Sequence, residues 1–325
     1  MTSRAKLIAG AVVLLAVVAG LISLTYFGGK KGEDPKRVRM GTLQTAIDYG
    51  PYIIAKKKGW IEEALKGEGV TVEYLPTFQA PPAVTEAFST DRLDLVLTAE
   101  VPTVIGRAAG ADVQFAWLSA TLSSEVIVPT ASKANSLADL KGKKVAVLGG
   151  SGPHFWLVRN LERSGIPRKE VSAVDMLPPD AKAAFESGVV DAWAMFPPWP
   201  EQELVAGKAR VLSAPKAPIQ VVVAVRGRYA AQHPQTVSAI LGALERGRDW
   251  LREHPAEAQQ IESEELGLPL EVVKLAWPKM DWNARLNDEV IKDIQSKADF
   301  LKEEGFVKNS VDVSKDMIWK APPKP

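Results

Sequence analysis

Beyond position 37 the apolar residues fall into short blocks separated by stretches with helical spacing. Blocks at 38–43, 70–75, 93–98, 113–118 and 125–128 predict strands, and the intervening 51–65, 82–89 and 102–109 predict helices. A second series follows, with strands at 143–148, 171–177 and 192–196 and helices opening at Pro153 and spanning 180–187. A strongly apolar strand at 221–225 comes next, then helices over 234–252 and 255–266. His233 and His254 each precede a proline at a helix start, which makes them capping or loop residues rather than metal ligands. The repeating strand–helix order predicts an α/β protein with mostly parallel sheets and ligand-facing groups at the carboxyl ends of strands.

A chain of this length exceeds one small core. The pattern divides it into a first lobe, 38–128 with 219–325, and an inserted second lobe, 129–218. Crossing segments near 126–130 and 217–222 would form the hinge between them.

The turn after 143–148 reads Gly149-Gly150-Ser151-Gly152-Pro153-His154. Proline is favoured at the first position of a helix, and Ser151 or Gly152 would cap it. Such a turn aims unpaired N–H groups and the positive end of a helix beyond the strand, which suits an anion. The glycine spacing matches neither a Walker A loop nor a dinucleotide fingerprint, so a plain strand-to-helix connection remains the other reading.

Residues 7–27 carry no charge, and at about 1.5 Å per residue they reach roughly the 30 Å of a bilayer core. Arg4 and Lys6 precede them, and Lys30 and Lys31 follow. They read as an uncleaved membrane anchor or as a removed signal peptide, with 28–37 as a polar linker. Either way, the rest of the chain is expected in the periplasm or at the outer face of the cytoplasmic membrane. The 40 basic and 39 acidic residues are interspersed without a basic stripe, which argues against nucleic acid. The absence of cysteine excludes disulfides, thiol catalysis, Cys-type zinc sites and a lipoprotein anchor. No metal or cofactor motif is present.

Strand ends supply the candidate ligand-binding residues: Gln44 with Thr45, Gln79, Thr98 to Glu100, Ser124, Gly150, Ser151, Gly152, His154, Trp193, Phe196 and Trp199. Polar donors on one side and aromatic walls on the other suit a small clamped ligand. Plainer readings stand beside these. Gln44 and Gln79 also fit turns, Trp193 fits a core, His154 fits packing on a first helical turn, and Glu100 fits loop ordering.

Several motifs occur together and in order: PYIIAKKKGW from Pro51, AAGAD from Ala108, DLKGKKVAV from Asp139 leading into the glycine turn, AFESGVVDAWA from Ala184 and VDVSKDMIW from Val311. In this the chain resembles the nitrate, sulfonate and taurine family of ABC-transporter solute-binding proteins. The resemblance implies a two-lobed periplasmic-binding-protein fold of type II, a small organic anion as ligand, and a permease and ATPase as partners of a monomer. It extends to desulfinases and pyrimidine-synthesising proteins, which are expected to need cysteine chemistry that this chain lacks. A membrane-anchored sensor or scaffold of the same fold is the further alternative. Three departures bear on the ligand. Ala99-Glu100-Val101-Pro102 stands where relatives commonly read Gly-Asp-x-Pro, Phe196-Pro197-Pro198-Trp199 replaces Trp-Asp-Pro-Tyr, and Gly152-Pro153 replaces a hydroxyl beside Ser151. They imply a ligand with a larger apolar or aromatic portion.

Overall fold

A computed structural model describes residues 36–44, 46–215 and 218–321. The 7–27 segment and Thr45 lie outside the described residues. Ten strands, β1 (Arg37–Thr42), β2 (Thr71–Tyr74), β3 (Leu95–Ala99), β4 (Val113–Ser123), β5 (Glu125–Pro129), β6 (Lys144–Val147), β7 (Ser172–Asp175), β8 (Ala192–Met195), β9 (Ala209–Val211) and β10 (Pro218–Arg226), form two five-stranded sheets. The first has the order β2-β1-β3-β10-β4 and the second β7-β6-β8-β5-β9.

The strand–helix units pair in parallel as expected, and one strand in each sheet runs against its neighbours. β1 runs parallel to β3, and β6 runs parallel to both β7 and β8. In contrast, β10 is antiparallel to β3 and β4, and β5 is antiparallel to β8 and β9. The cause is the route of the chain. Strands of strand–helix units end at the junction of the lobes, whereas β5 and β10 start there. β4 passes into β5 with Ser124 alone between them, and β10 brings the chain back from the second sheet. A strand that begins at the junction must oppose those that end at it.

Period-two burial sorts the side chains onto the two faces of each sheet. In the second sheet Val126, Val145 and Val147 pack with Trp156, Leu157 and Leu161 of the Gly152–Arg163 helix. Their neighbours Ile127 and Ala146 face Phe185 and Trp193 on the other side. In the first sheet Leu95 and Val223 meet the Gly50–Lys57 and Pro234–Glu253 helices. Phe115 and Val222 meet the Glu100–Ala108 and Asp288–Glu303 helices.

The single helix expected over 51–65 is two, Gly50–Lys57 and Trp60–Lys66, because Gly59 adopts φ +69° and breaks the run. β4 continues past 118 because its polar tail pairs with β10, where the Thr121 hydroxyl donates to Gln220 Oε1 at 2.6 Å.

The lobes are in contact. Arg159 pairs with Glu303 at 3.1 Å and Arg168 with Glu304, while Lys279 reaches both Glu125 and Glu201. Among the described residues no helix is long and apolar enough to cross a membrane.

Candidate functional site

A cavity of about 70 Å³ lies where the strands of both sheets end. The first lobe contributes Leu43, Gln44, Ala46, Asp48, Tyr49, Pro81, Ala99, Pro102, Leu122 and Ile219, and the second contributes Leu148, Ser151, Gly152, Pro153 and Phe196. It is small beside ordinary ligand pockets of roughly 300–1,000 Å³. A wider groove of about 720 Å³ follows the Asp288–Glu303 helix, but it borders no strand end and carries Asp288, Asp299, Asp312 and Asp316, which disfavour an anion.

In the second lobe, β6 delivers the chain to Gly149, whose N–H donates to Asp175 Oδ1 at 2.7 Å. Gly150 takes φ +62°, and a Cβ there would meet Phe306 at 2.9 Å. Ser151 is the N-cap of the Gly152–Arg163 helix: its hydroxyl donates to the Leu148 carbonyl at 2.6 Å and accepts from the His154 N–H at 3.4 Å. The hydroxyl proton is therefore committed to the turn. The Gly150 N–H donates to His154 Nδ1 at 3.3 Å. What the turn presents to the cavity is the orphan N–H pair of Ser151 and Gly152, at the positive end of a helix. Gly152 also has to be small, since a Cβ would lie 2.9 Å from Ile219 Cγ1 across the cleft.

In the first lobe, β1 ends in Leu43 and in Gln44, which holds φ 58°, a conformation uncommon for a non-glycine residue. Hydrogen bonds fix it, from the Gln44 N–H to the Phe78 carbonyl at 2.7 Å and from Gln44 Nε2 to the Gln79 carbonyl at 3.3 Å. The following 3₁₀ turn, Ile47–Tyr49, carries Asp48 to the cavity. Tyr49 donates to the Leu43 carbonyl at 2.6 Å and closes this corner.

Of the residues read from sequence, the cavity thus brings together Gln44, Ser151, Gly152 and Phe196. The others lie elsewhere. Gln79 accepts from Gln44 and donates to the Thr77 carbonyl. Thr98 and Ser124 are buried, and neither hydroxyl has a partner. Trp193 is fully buried against Phe185 and Trp199, so this pair forms core rather than wall. His154 packs edge-on against Phe300 and Phe306, and its burial lowers its pKa, which keeps the ring neutral.

Glu100 turns away into the first lobe. It accepts from Lys297 at 2.6 Å, and Lys297 also reaches Asp293 and the Pro218 carbonyl. Burial pushes the Glu100 carboxyl up, and Lys297 opposes that shift. Trp193, Trp199 and Glu100 therefore serve packing and lobe cohesion, while Phe196 lines the cavity.

Asp48 lies four residues beyond Gln44, past the strand end where the candidate residues cluster. The available signal was an aspartate inside the apolar Ile47-Asp48-Tyr49, just past a strand's carboxyl end. Burial raises its pKa from 3.8 to about 7. Beside it lies Glu262, fully buried and raised well above the carboxylate range by burial and by Asp48. Among the described residues no lysine, arginine or histidine lines the cavity. Among the described residues no cluster of three or more His, Cys, Asp or Glu could hold a metal ion.

Comparison with known proteins agrees with this architecture. The profile of the NMT1/THI5-like family matches residues 46–258. A Bacillus subtilis protein named for binding aliphatic sulfonates is 30% identical over 322 residues, 95% of this chain and 94% of its own. The Escherichia coli periplasmic aliphatic sulphonate binding protein SsuA superposes with a TM-score of 0.78 at 25% identity, covering 90% of this chain and 94% of its own. The alkanesulfonate-binding protein SsuA of Xanthomonas axonopodis pv. citri, bound to MOPS, gives 0.74 at 26% identity, with 89% and 100% covered. This chain belongs to the NMT1/THI5-like family.

Proposed function

We propose that this chain is the extracytoplasmic solute-binding component of an ABC importer, capturing a small sulfonate-like anion between its lobes and presenting it to a permease and ATPase. The observation that carries this is the cavity at the junction, which draws its lining from both lobes and sets the Ser151 and Gly152 N–H groups opposite apolar walls. Two aimed donors at a helix N-terminus suit an anionic headgroup, and Leu43, Leu122, Ile219 and Phe196 suit a short aliphatic chain. The similar proteins named for sulfonate binding support the same reading. Capture requires only that the closed form bind better than the open one, and no covalent step. We read 129–218 as the inserted lobe, turning about Ser124 and the return into β10. Residues 7–27 are read as the leader or anchor that places the protein outside the cytoplasm.

A thermal-shift panel on the full-length protein tests this with alkanesulfonates, sulfate, nitrate and pyrimidines. A ligand at a hundredfold excess over its Kd should stabilise the fold by about 2.7 kcal/mol. Stabilisation by an alkanesulfonate and by none of the pyrimidines is expected. Stabilisation by pyrimidines alone would contradict the reading.

A further inference from the structure

The cleft contains an acid where an anion is expected to bind. Asp48 lines the cavity, is only 7% exposed, and its Oδ1 has no hydrogen-bond partner among the described residues. Glu262 stands behind it on the Pro255–Leu266 helix, and neither of its carboxyl oxygens has a partner. Glu262 can come this close because residue 50 is glycine: a Cβ there would be 2.4 Å from Glu262 Oε1. The indole N–H of Trp282, packed against the same glycine, is unpartnered as well.

Two neighbouring carboxyls buried without a cation cannot both ionise. Of the other groups facing Asp48, its own backbone N–H favours the ionised form, but less than burial opposes it. The Tyr49 phenol is spent on the Leu43 carbonyl, and Ser119 donates to the Asp48 backbone carbonyl rather than to its carboxyl. Burial disfavours the charged form of each acid, so below about pH 7 the cavity floor is least costly when uncharged, with Glu262 and Asp48 as neutral acids. A neutral carboxyl has an O–H, and a sulfonate is acceptor-only.

We propose that Asp48 contacts the ligand as a neutral carboxylic acid, donating its O–H to an anionic oxygen of the ligand, so that capture of the anion is linked to protonation of this residue. The proposal rests on the anion-capture reading above and specifies what selects the anion. Asp48 completes a donor set with the Ser151 and Gly152 N–H groups, and once ionised it would repel the headgroup. The shift of its titration toward neutrality, caused by burial, places the change within an accessible pH range.

The test is isothermal titration calorimetry of the full-length protein with ethanesulfonate between pH 6 and 9. If only the protonated form binds, the apparent Kd rises with the fraction deprotonated, tenfold per pH unit above the midpoint and about a hundredfold across the range. Repeating the titration at pH 8 in buffers of different ionisation enthalpy should show uptake of close to one proton, which needs no variant. Asp48→Asn keeps a donor and cannot ionise, so its Kd should be level across the same range.

A level wild-type profile overturns the proposal and leaves sulfonate capture intact. Affinity that increases with pH, with release of protons, also overturns it. No binding by either protein at any pH overturns the capture reading itself.

Discussion

Adding one methyl at Gly152 should wedge the cleft. The residue has ordinary helical backbone at the first turn, so alanine is conformationally acceptable there and improves helix propensity by as much as about 1 kcal/mol. The new Cβ would lie 2.9 Å from Ile219 Cγ1, a stiff β-branched side chain that is 5% exposed and sits at the start of β10. Neither partner can yield locally, because one is tied to a helix N-terminus and the other to a central strand. Overpacking of this kind costs roughly 1–3 kcal/mol. The contact spans the lobes, so the cost falls on the closed form and is relieved by opening. At about 1.4 kcal/mol per tenfold, Gly152→Ala should weaken ethanesulfonate binding by about 5- to 150-fold while the ligand-free melting temperature holds or rises. Calorimetric titration and a ligand-free melt separate the two effects. A Kd within twofold of wild type would refute the reasoning, because the helix N-terminus and Ile219 would then not meet in the bound form. A loss of stability matching the loss of affinity would refute it as well.

Lys297→Met should cost about 3–5 kcal/mol by stranding the fully buried Glu100, and the double variant with Glu100→Gln should recover most of that in denaturant unfolding. Trp193→Ala should destabilise by about 3–5 kcal/mol as a core cavity, with little effect on the ranking of ligands by affinity. The Asp48 pKa is raised on folding, so its contribution to stability is full below the unfolded value and is lost as pH rises through about 7. Ligand-free stability should therefore fall between about pH 4 and 7, by an amount on the order of 4 kcal/mol from this group, and Asp48→Asn should flatten the slope in urea unfolding. Short alkanesulfonates should bind more tightly than naphthalenesulfonates, as a competition titration would show, since the cavity is only about 70 Å³.

The strand–helix alternation was legible because both periods are strong. Nearly every strand through β8 was foreseen within a few residues. What failed were features set by the opposite lobe. β4 runs on through Ser119–Ser123 only because β10 supplies partners, which no local pattern of its own could show. Antiparallel entry and return follow from where the chain crosses, not from periodicity. Of the residues expected at strand ends, Gln44, Ser151, Gly152 and Phe196 line the cavity. Trp193 lies instead against Phe185, and His154 and Glu100 lie against Phe300 and Lys297, which are distant from them in sequence. Asp48 escaped because its meaning depends on Glu262, more than two hundred residues away, and on a glycine at position 50 that lets the two approach.

A crystal structure of the protein with ethanesulfonate would bear on all of this at once. The sulfonate oxygens should lie within hydrogen-bond distance of the Ser151 and Gly152 N–H groups and of an Asp48 carboxyl oxygen, with the ethyl group against Leu122, Ile219 and Phe196. Ligand density outside the junction of the two sheets, or a headgroup turned away from the Gly152–Arg163 helix, would contradict the assignment of this cavity as the capture site.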